Sequence, residues 1–333
     1  MTGEKVRLAS VGLGKWARTL AAAAARSGAV EIVRCFDPVE EARATFAEEI
    51  GARLAASYEE LLKDSEVEGV IVATPHSTHA DVACEAASAG KHLFVEKPFA
   101  LTAAEARRTI EAAERAGRTL QVGHKRRWFG ANRRILGMIE AGELGMLHQL
   151  EANYSRPIFQ APRAGWRGDP AESPLGGMTG LGIHMVDLLS AFAEGRIKRL
   201  AAFSKKLFGK TNLDDVTSIA PEFESGPLGY VGTSAVVPMF VTASALGTEA
   251  GAWSEGDGSR LFVQKTGETV RREIPVDAGD GVAAELAHFA RCIRTGESPE
   301  AGGAEGLEIA AVLEAMAESV KTARAVEMKD FRG

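Results

Sequence analysis

Over roughly the first 122 positions, short apolar runs alternate with longer stretches in which apolar residues recur every three to four positions. The short runs predict strands at Val6–Val11, 31–36, 69–73, His92–Val95 and 119–122, with helices between them. That alternation implies a parallel, doubly wound α/β sheet. Ser57 with Glu60, and Thr102 with Glu105, fit the capping-box pattern at helix starts, while Gly90 and Gly117 stand where helices would stop. After Gly123 the pattern changes. Longer β-prone runs at 148–154, 200–206, Val216–Phe223, 230–244 and 259–263 are separated by turn-forming clusters, such as Gly226 to Gly229 and Glu255 to Gly258. They predict a mainly antiparallel sheet, closed by helices at 282–295 and 305–324. The expected organisation is a nucleotide-binding domain over 1–124 and a second domain over 125–333, abutting at a cleft.

The length of 333 residues agrees with two domains. A net charge of −6 argues against nucleic acid or an anionic membrane as the main partner, which leaves small molecules. No apolar stretch reaches the roughly 20 residues of a membrane span, and the amino terminus lacks signal-peptide regions. Cys35, Cys84 and Cys292 are few and odd in number, so three free thiols in a reducing, cytoplasmic setting are expected. His76 and His79 are spaced like metal ligands, yet no third ligand type stands nearby, and no metal is expected.

The strand at Val6–Val11 breaks into Gly12, Leu13, Gly14, Lys15, Trp16 and Ala17. This glycine-x-glycine-x-x-alanine turn, opening a helix, is a cradle for a dinucleotide pyrophosphate. Its helix start offers unsatisfied N–H groups and a positive dipole end to the anion. Asp37 ends the second strand, about 20 residues on, where a carboxylate accepts ribose hydroxyls and repels a 2′-phosphate; NAD is favoured over NADP. Asp37 also fits as the N-cap of the next helix, with Pro38 at its first position.

Thr74, Pro75, His76 and His79 follow the third main strand, and Glu96, Lys97 and Pro98 follow the next. Both segments therefore fall at carboxyl ends of parallel strands, where such sheets bind ligands. An amine at Lys97, near a cationic nicotinamide and partly dried, would lose proton affinity and serve as acid or base; a plain Glu96–Lys97 surface pair is the alternative. His124, Arg126 and Arg127 offer positive charge to a polyhydroxylated or carboxylated substrate, or form a solvated face. Tyr154, Trp166 and Arg167 line the substrate side or belong to the core. No nucleophile-elbow, kinase, nuclease or zinc-hydrolase pattern occurs.

The ordered set of Gly12 and Gly14, Asp37, Ala73 to Pro75 with His79, Glu96 to Pro98, Gly142 to Gly145, and Gly182, His184 and Asp187 resembles the glucose-fructose oxidoreductase/inositol dehydrogenase (Gfo/Idh/MocA) family over nearly the whole chain. The resemblance implies a Rossmann domain joined to an α+β domain with an open-faced sheet, a bound nicotinamide cofactor, and dimers or tetramers. It implies that Lys97 and His184 are catalytic: Lys97 takes the hydroxyl proton as hydride leaves, and His184 holds the same oxygen. It also implies a cis Lys97–Pro98 bond, and cofactor contacts from Gly12, Gly14, Lys15, Trp16, Asp37, Thr74, Pro75, His76, His79, Glu96 and Lys97. Substrate contacts would come from Lys97, Arg127, Trp166, Arg167, His184 and Asp187, the last either touching substrate, orienting His184 or buried as a structural acid. Polyol-oxidising relatives often carry Asp four residues before the histidine, where this chain has Gly180. The expected activity is NAD(H)-dependent oxidoreduction of a sugar, polyol or related alcohol. NAD-assisted elimination, epimerisation or glycoside hydrolysis, and a non-catalytic NAD(H) sensor, are the alternatives.

Overall fold

The computed structural model describes residues 4–333. The chain forms two compact units, the first ending at His124 but also including Val282–Ala310, the second made of Lys125–Gly281 and Ala311–Gly333. The sequence placed 282–310 in the second domain; the structure packs it onto the first. Phe289 meets Phe94 edge to face at 5.7 Å, Gln121 donates to the Glu285 carbonyl, and the Val122 N–H donates to the Ala301 carbonyl. A periodic apolar helix shows that it is buried, not against what.

In the first unit, six parallel strands, β1 (Val6–Val11), β2 (Val30–Phe36), β3 (Arg53–Leu54), β4 (Gly69–Val72), β5 (His92–Val95) and β6 (Leu120–Val122), run in the order β3-β2-β1-β4-β5-β6. The sheet is buried on both faces, as the unbroken apolar runs require. One core joins Val11, Val70, Val72 and Val95 to Leu61, Ala83 and Ala106; the other joins Leu8, Ile71 and Phe94 to Leu20, Phe46 and Phe289. The helices are α1 (Lys15–Ser27), α2 (Glu40–Ile50), α3 (Tyr58–Lys63), α4 (His79–Ser88) and α5 (Ala103–Arg115). Thr102 and Glu105 form the full capping box of α5. Ser57 caps Glu60, but the Glu60 carboxylate turns to the Ala56 N–H, so only half of that box forms. The N-cap of α2 is Val39, not Asp37.

The second unit holds two helices ahead of most of its strands, α6 (Gly130–Glu140) and α7 (Ile183–Phe192). Its sheet has nine strands: β7 (Leu147–Ser155), β8 (Ile197–Lys205), β9 (Val216–Phe223), β10 (Leu228–Ser234), β11 (Phe240–Gly247), β12 (Ala250–Glu255), β13 (Arg260–Lys265), β14 (Arg272–Ile274) and β15 (Val326–Glu327). The order is β14-β13-β12-β11-β7-β10-β9-β8-β15, antiparallel except for β7 beside β10. The run 230–244 is therefore two strands, and β7 lies between them. Pro238, which has no N–H to donate, sits in the break. Two long helices, α8 (Gly281–Thr295) and α9 (Gly303–Thr322), precede β15, and a short helix, α10 (Lys329–Arg332), follows it. All three cysteines are free thiols. Among the described residues no helix is long and apolar enough to cross a membrane, and no cluster of metal-ligating side chains occurs.

Candidate active site

At the carboxyl edge of the first sheet, four strand ends converge. The Gly12 N–H donates to the Phe36 carbonyl, which holds the glycine turn against β2. Gly12 has φ +83°, and a Cβ there would lie 2.6 Å from the Thr74 amide nitrogen, so the turn and the segment after β4 touch backbone to backbone. Asp37 accepts from the Leu13 N–H at 2.8 Å through one carboxylate oxygen and from Val39 at 2.9 Å through the other. Its carboxylate is therefore fixed beside the glycine turn.

His79 is buried, with Nδ1 2.8 Å from the Pro98 carbonyl and Nε2 3.0 Å from the Thr74 carbonyl. It straps the segment after β4 to the segment after β5. Between them, Lys97 is half-exposed and its bond to Pro98 is cis. The Glu96 carboxylate is buried beside Gly123, where a Cβ would lie 2.8 Å from Oε1. It also accepts from the Lys97 N–H at 3.2 Å. Glycine after β6 is thus what gives this carboxylate its place.

In the second unit, a π-helical turn, Met178–Gly182, runs into α7 and its first-turn residue His184, which is 4% exposed. The Tyr154 ring of β7 lies 6.2 Å from the imidazole, and the Arg126 guanidinium lies 4.0 Å from that ring. Three residues after His184, Asp187 receives both Nε and Nη2 of Arg127, at 2.9 and 2.6 Å. Arg167 stacks on Trp166 at 4.2 Å. The Thr179 hydroxyl donates to the Pro174 carbonyl.

Comparison with known proteins joins these halves to one family. Residues 6–124 match the Gfo/Idh/MocA oxidoreductase family with its NAD-binding Rossmann fold, and residues 132–252 match the Gfo/Idh/MocA C-terminal domain. The chain belongs to the Gfo/Idh/MocA family. It is 27% identical to a 1,5-anhydro-D-fructose reductase of Ensifer adhaerens, across 96% of this chain and 97% of that protein. It is also 27% identical to a scyllo-inositol 2-dehydrogenase (NAD(+)) of Bacillus subtilis, across 89% and 88%. Among solved structures, a Desulfitobacterium hafniense protein described as an NADPH-dependent oxidoreductase superposes with a TM-score of 0.92 at 29% identity, covering 99% of this chain and all of that one. A levoglucosan dehydrogenase bound to NADH and levoglucosan shares the fold, with a TM-score of 0.89 at 20% identity over 98% of this chain and all of that one.

As a Gfo/Idh/MocA member the chain is an oxidoreductase with an NAD-binding Rossmann domain, and the geometry fits that cofactor. A Cβ on Gly14 would meet nothing within 4 Å, which leaves the start of α1 bare on the side where a pyrophosphate approaches. Gly12, Gly14, Lys15, Trp16, Asp37, Thr74, Pro75, His76, Glu96 and Lys97 all fall on this one edge of the sheet. Both ring nitrogens of His79 meet backbone carbonyls, which gives it a strapping role between the two segments. Arg127, expected as a substrate contact, pairs with Asp187, which was expected to touch substrate, orient His184 or be a buried structural acid. The basic run is no solvated face, since His124, Arg126 and Arg127 are 0, 2 and 7% exposed. Sequence reasoning gave no role to Gly123, although a glycine directly after a strand is a signal of close approach.

Proposed function

We propose that the protein transfers hydride between NAD(H) and a secondary alcohol or carbonyl of a sugar, polyol or related small molecule. The observation that carries this reading is the placement of Lys97 on the same sheet edge as the glycine turn and Asp37, set between the buried Glu96 and the His79 strap. When bound, the nicotinamide gives or accepts the hydride. Lys97 takes the hydroxyl proton in oxidation and returns it in reduction. His184 holds the substrate oxygen by a hydrogen bond, and Trp166 with Arg167 contributes further substrate contacts. Asp37 accepts the adenosine ribose hydroxyls, which favours NAD over NADP.

The test is a panel of sugars and polyols offered with NAD, and their ketones with NADH, followed by nicotinamide absorbance. K97M and H184A should each lower kcat by about a hundredfold or more while NADH binding, followed by fluorescence, persists. Near-normal turnover in K97M would remove the acid–base role. Net cofactor reduction separates this activity from redox-neutral chemistry on bound NAD.

We further propose that the protein self-associates through the open face of the nine-stranded sheet, as a dimer or tetramer. Phe203, Leu228, Tyr230 and Phe240 are 72, 60, 44 and 55% exposed there, a concentration of apolar area that favours covering. Light scattering of the purified chain checks it, and F203E should return a larger species to monomer.

A further inference from the structure

A cavity of about 180 Å³ in the second unit opens between two loop segments, its lining including Arg163 and Gly168 from one and Lys210, Thr211 and Asn212 from the other. Glycine shapes both sides. A Cβ on Gly168 would overlap the Arg163 carbonyl oxygen, so the stretch from 163 to 168 folds back on itself, and Gly209 turns the facing segment with φ +74°. Three cations stand here, each set on a ring: Arg163 over Phe159 at 5.6 Å, Arg167 over Trp166 at 4.2 Å and Lys210 over Phe208 at 5.9 Å. An aromatic face fixes a cation without neutralising it. Among the described residues, no carboxylate comes within ion-pair distance of any of the three. The acids nearest in sequence are engaged elsewhere: Asp169 accepts from the Ala171 N–H, Asp214 from the Ser204 hydroxyl, and Asp215 from the Leu207 and Phe208 N–H groups. Burial holds both guanidinium groups below the usual arginine range, and the Arg167 charge beside Arg163 adds to the effect there.

We propose that this cavity binds a phosphate group, held by Arg163 and Lys210 and supported by the charge of Arg167. Like charges gathered at a concave, partly dried site are relieved by an anion, and three of them suit a dianion better than a single carboxylate. The guanidinium of Arg163 offers paired N–H donors to two phosphate oxygens, Lys210 a point charge, and the Asn212 amide a further donor. The group arrives either as the free ion or on the substrate. In the second case the inference rests on the oxidoreductase reading above, which already gives Arg167 to the substrate, and narrows it to phosphorylated sugars.

Inorganic phosphate is titrated into the full chain by calorimetry, with NADH affinity and thermal midpoint measured in parallel. Wild type should bind phosphate saturably, and R163M and K210M should each weaken that binding about tenfold or more while NADH affinity holds. R156M, which removes a cation from the same loop but outside the cavity lining, should bind phosphate as wild type does. K210M alters an exposed side chain, so it keeps the test open if R163M lowers the midpoint. Glucose 6-phosphate and fructose 6-phosphate then separate the two sources. Binding of either at least tenfold tighter than inorganic phosphate, with the excess lost in H184A, assigns the site to the substrate; binding no tighter than inorganic phosphate assigns it to the free ion. Absence of saturable phosphate binding, or equal binding in wild type, R163M and K210M, overturns the inference and leaves the oxidoreductase reading standing. Failure of wild type to bind NADH would overturn that reading and leave the phosphate result as measured.

Discussion

The Arg126 guanidinium lies over the Tyr154 ring, and that ring faces His184. Arg126 also donates to Asp257 at 2.5 Å, but Asp257 keeps 37% of its side chain in water while Arg126 keeps 2%. Removing the cation therefore leaves a carboxylate that can hydrate, and the main loss is the dried cation–π contact, about 2 kcal/mol. R126M should lower unfolding stability by that order in urea titrations, whereas D257N leaves the buried Arg126 cation without its counter-ion and should cost more. A smaller loss in D257N than in R126M would assign the stability to the cation–π contact alone.

Arg127 and Asp187 call for the opposite outcome, because both members are buried, with side chains 9 and 1% exposed. Deleting one strands the other, at a cost of about 3–5 kcal/mol. D187L and R127M should each be strongly destabilised, while the R127M/D187L double variant should recover most of the loss. Recovery of stability without recovery of KM would show that the pair also serves the substrate. Failure of the double variant to recover any stability would refute the paired-charge account.

The parts that local chemistry dictates were legible in the sequence. Apolar runs of four to seven residues became the main parallel strands, Thr102 and Glu105 became a capping box, and the glycine turn landed beside Asp37 and Thr74. Pairings across long separations were not legible. Arg127 reaches Asp187 sixty residues away, and nothing local distinguishes that from a surface charge. The edge strands β3 and β15 have two residues each, too few to show alternation, and owe their form to one neighbouring strand. Asp37 was ambiguous for a physical reason: its carboxylate serves the glycine turn with one oxygen and the approach to α2 with the other.

That double duty makes cofactor choice testable. Arg43 donates to the Asp37 carbonyl at 2.9 Å, so a guanidinium stands where a 2′-phosphate would be received if the carboxylate were absent. D37A should weaken NADH binding about tenfold or more and leave NADPH binding equal or stronger; R43A added to D37A should then weaken NADPH alone. Equal losses for both cofactors in D37A would mean that Asp37 acts only by holding the turn through Leu13.

His92 gives the first unit a pH dependence. The Thr119 N–H donates to its Nδ1 at 3.0 Å, which requires a ring nitrogen without a proton. Burial, aided by the nearby Arg118 cation, lowers its pKa from 6.5 to about 4, against weaker opposition from Glu68. Between those values the unfolded chain binds a proton that the folded chain refuses, so protonation favours unfolding. The stability due to neutral His92 is complete above about pH 6.5 and is lost as pH falls toward about 4. H92Q keeps an acceptor for Thr119 and has no such proton to bind. Urea unfolding of H92Q across this range should show a stability–pH slope shallower by up to one proton than wild type. Parallel curves would mean that other groups, with carboxylates such as Glu68 first among them, carry the acid sensitivity.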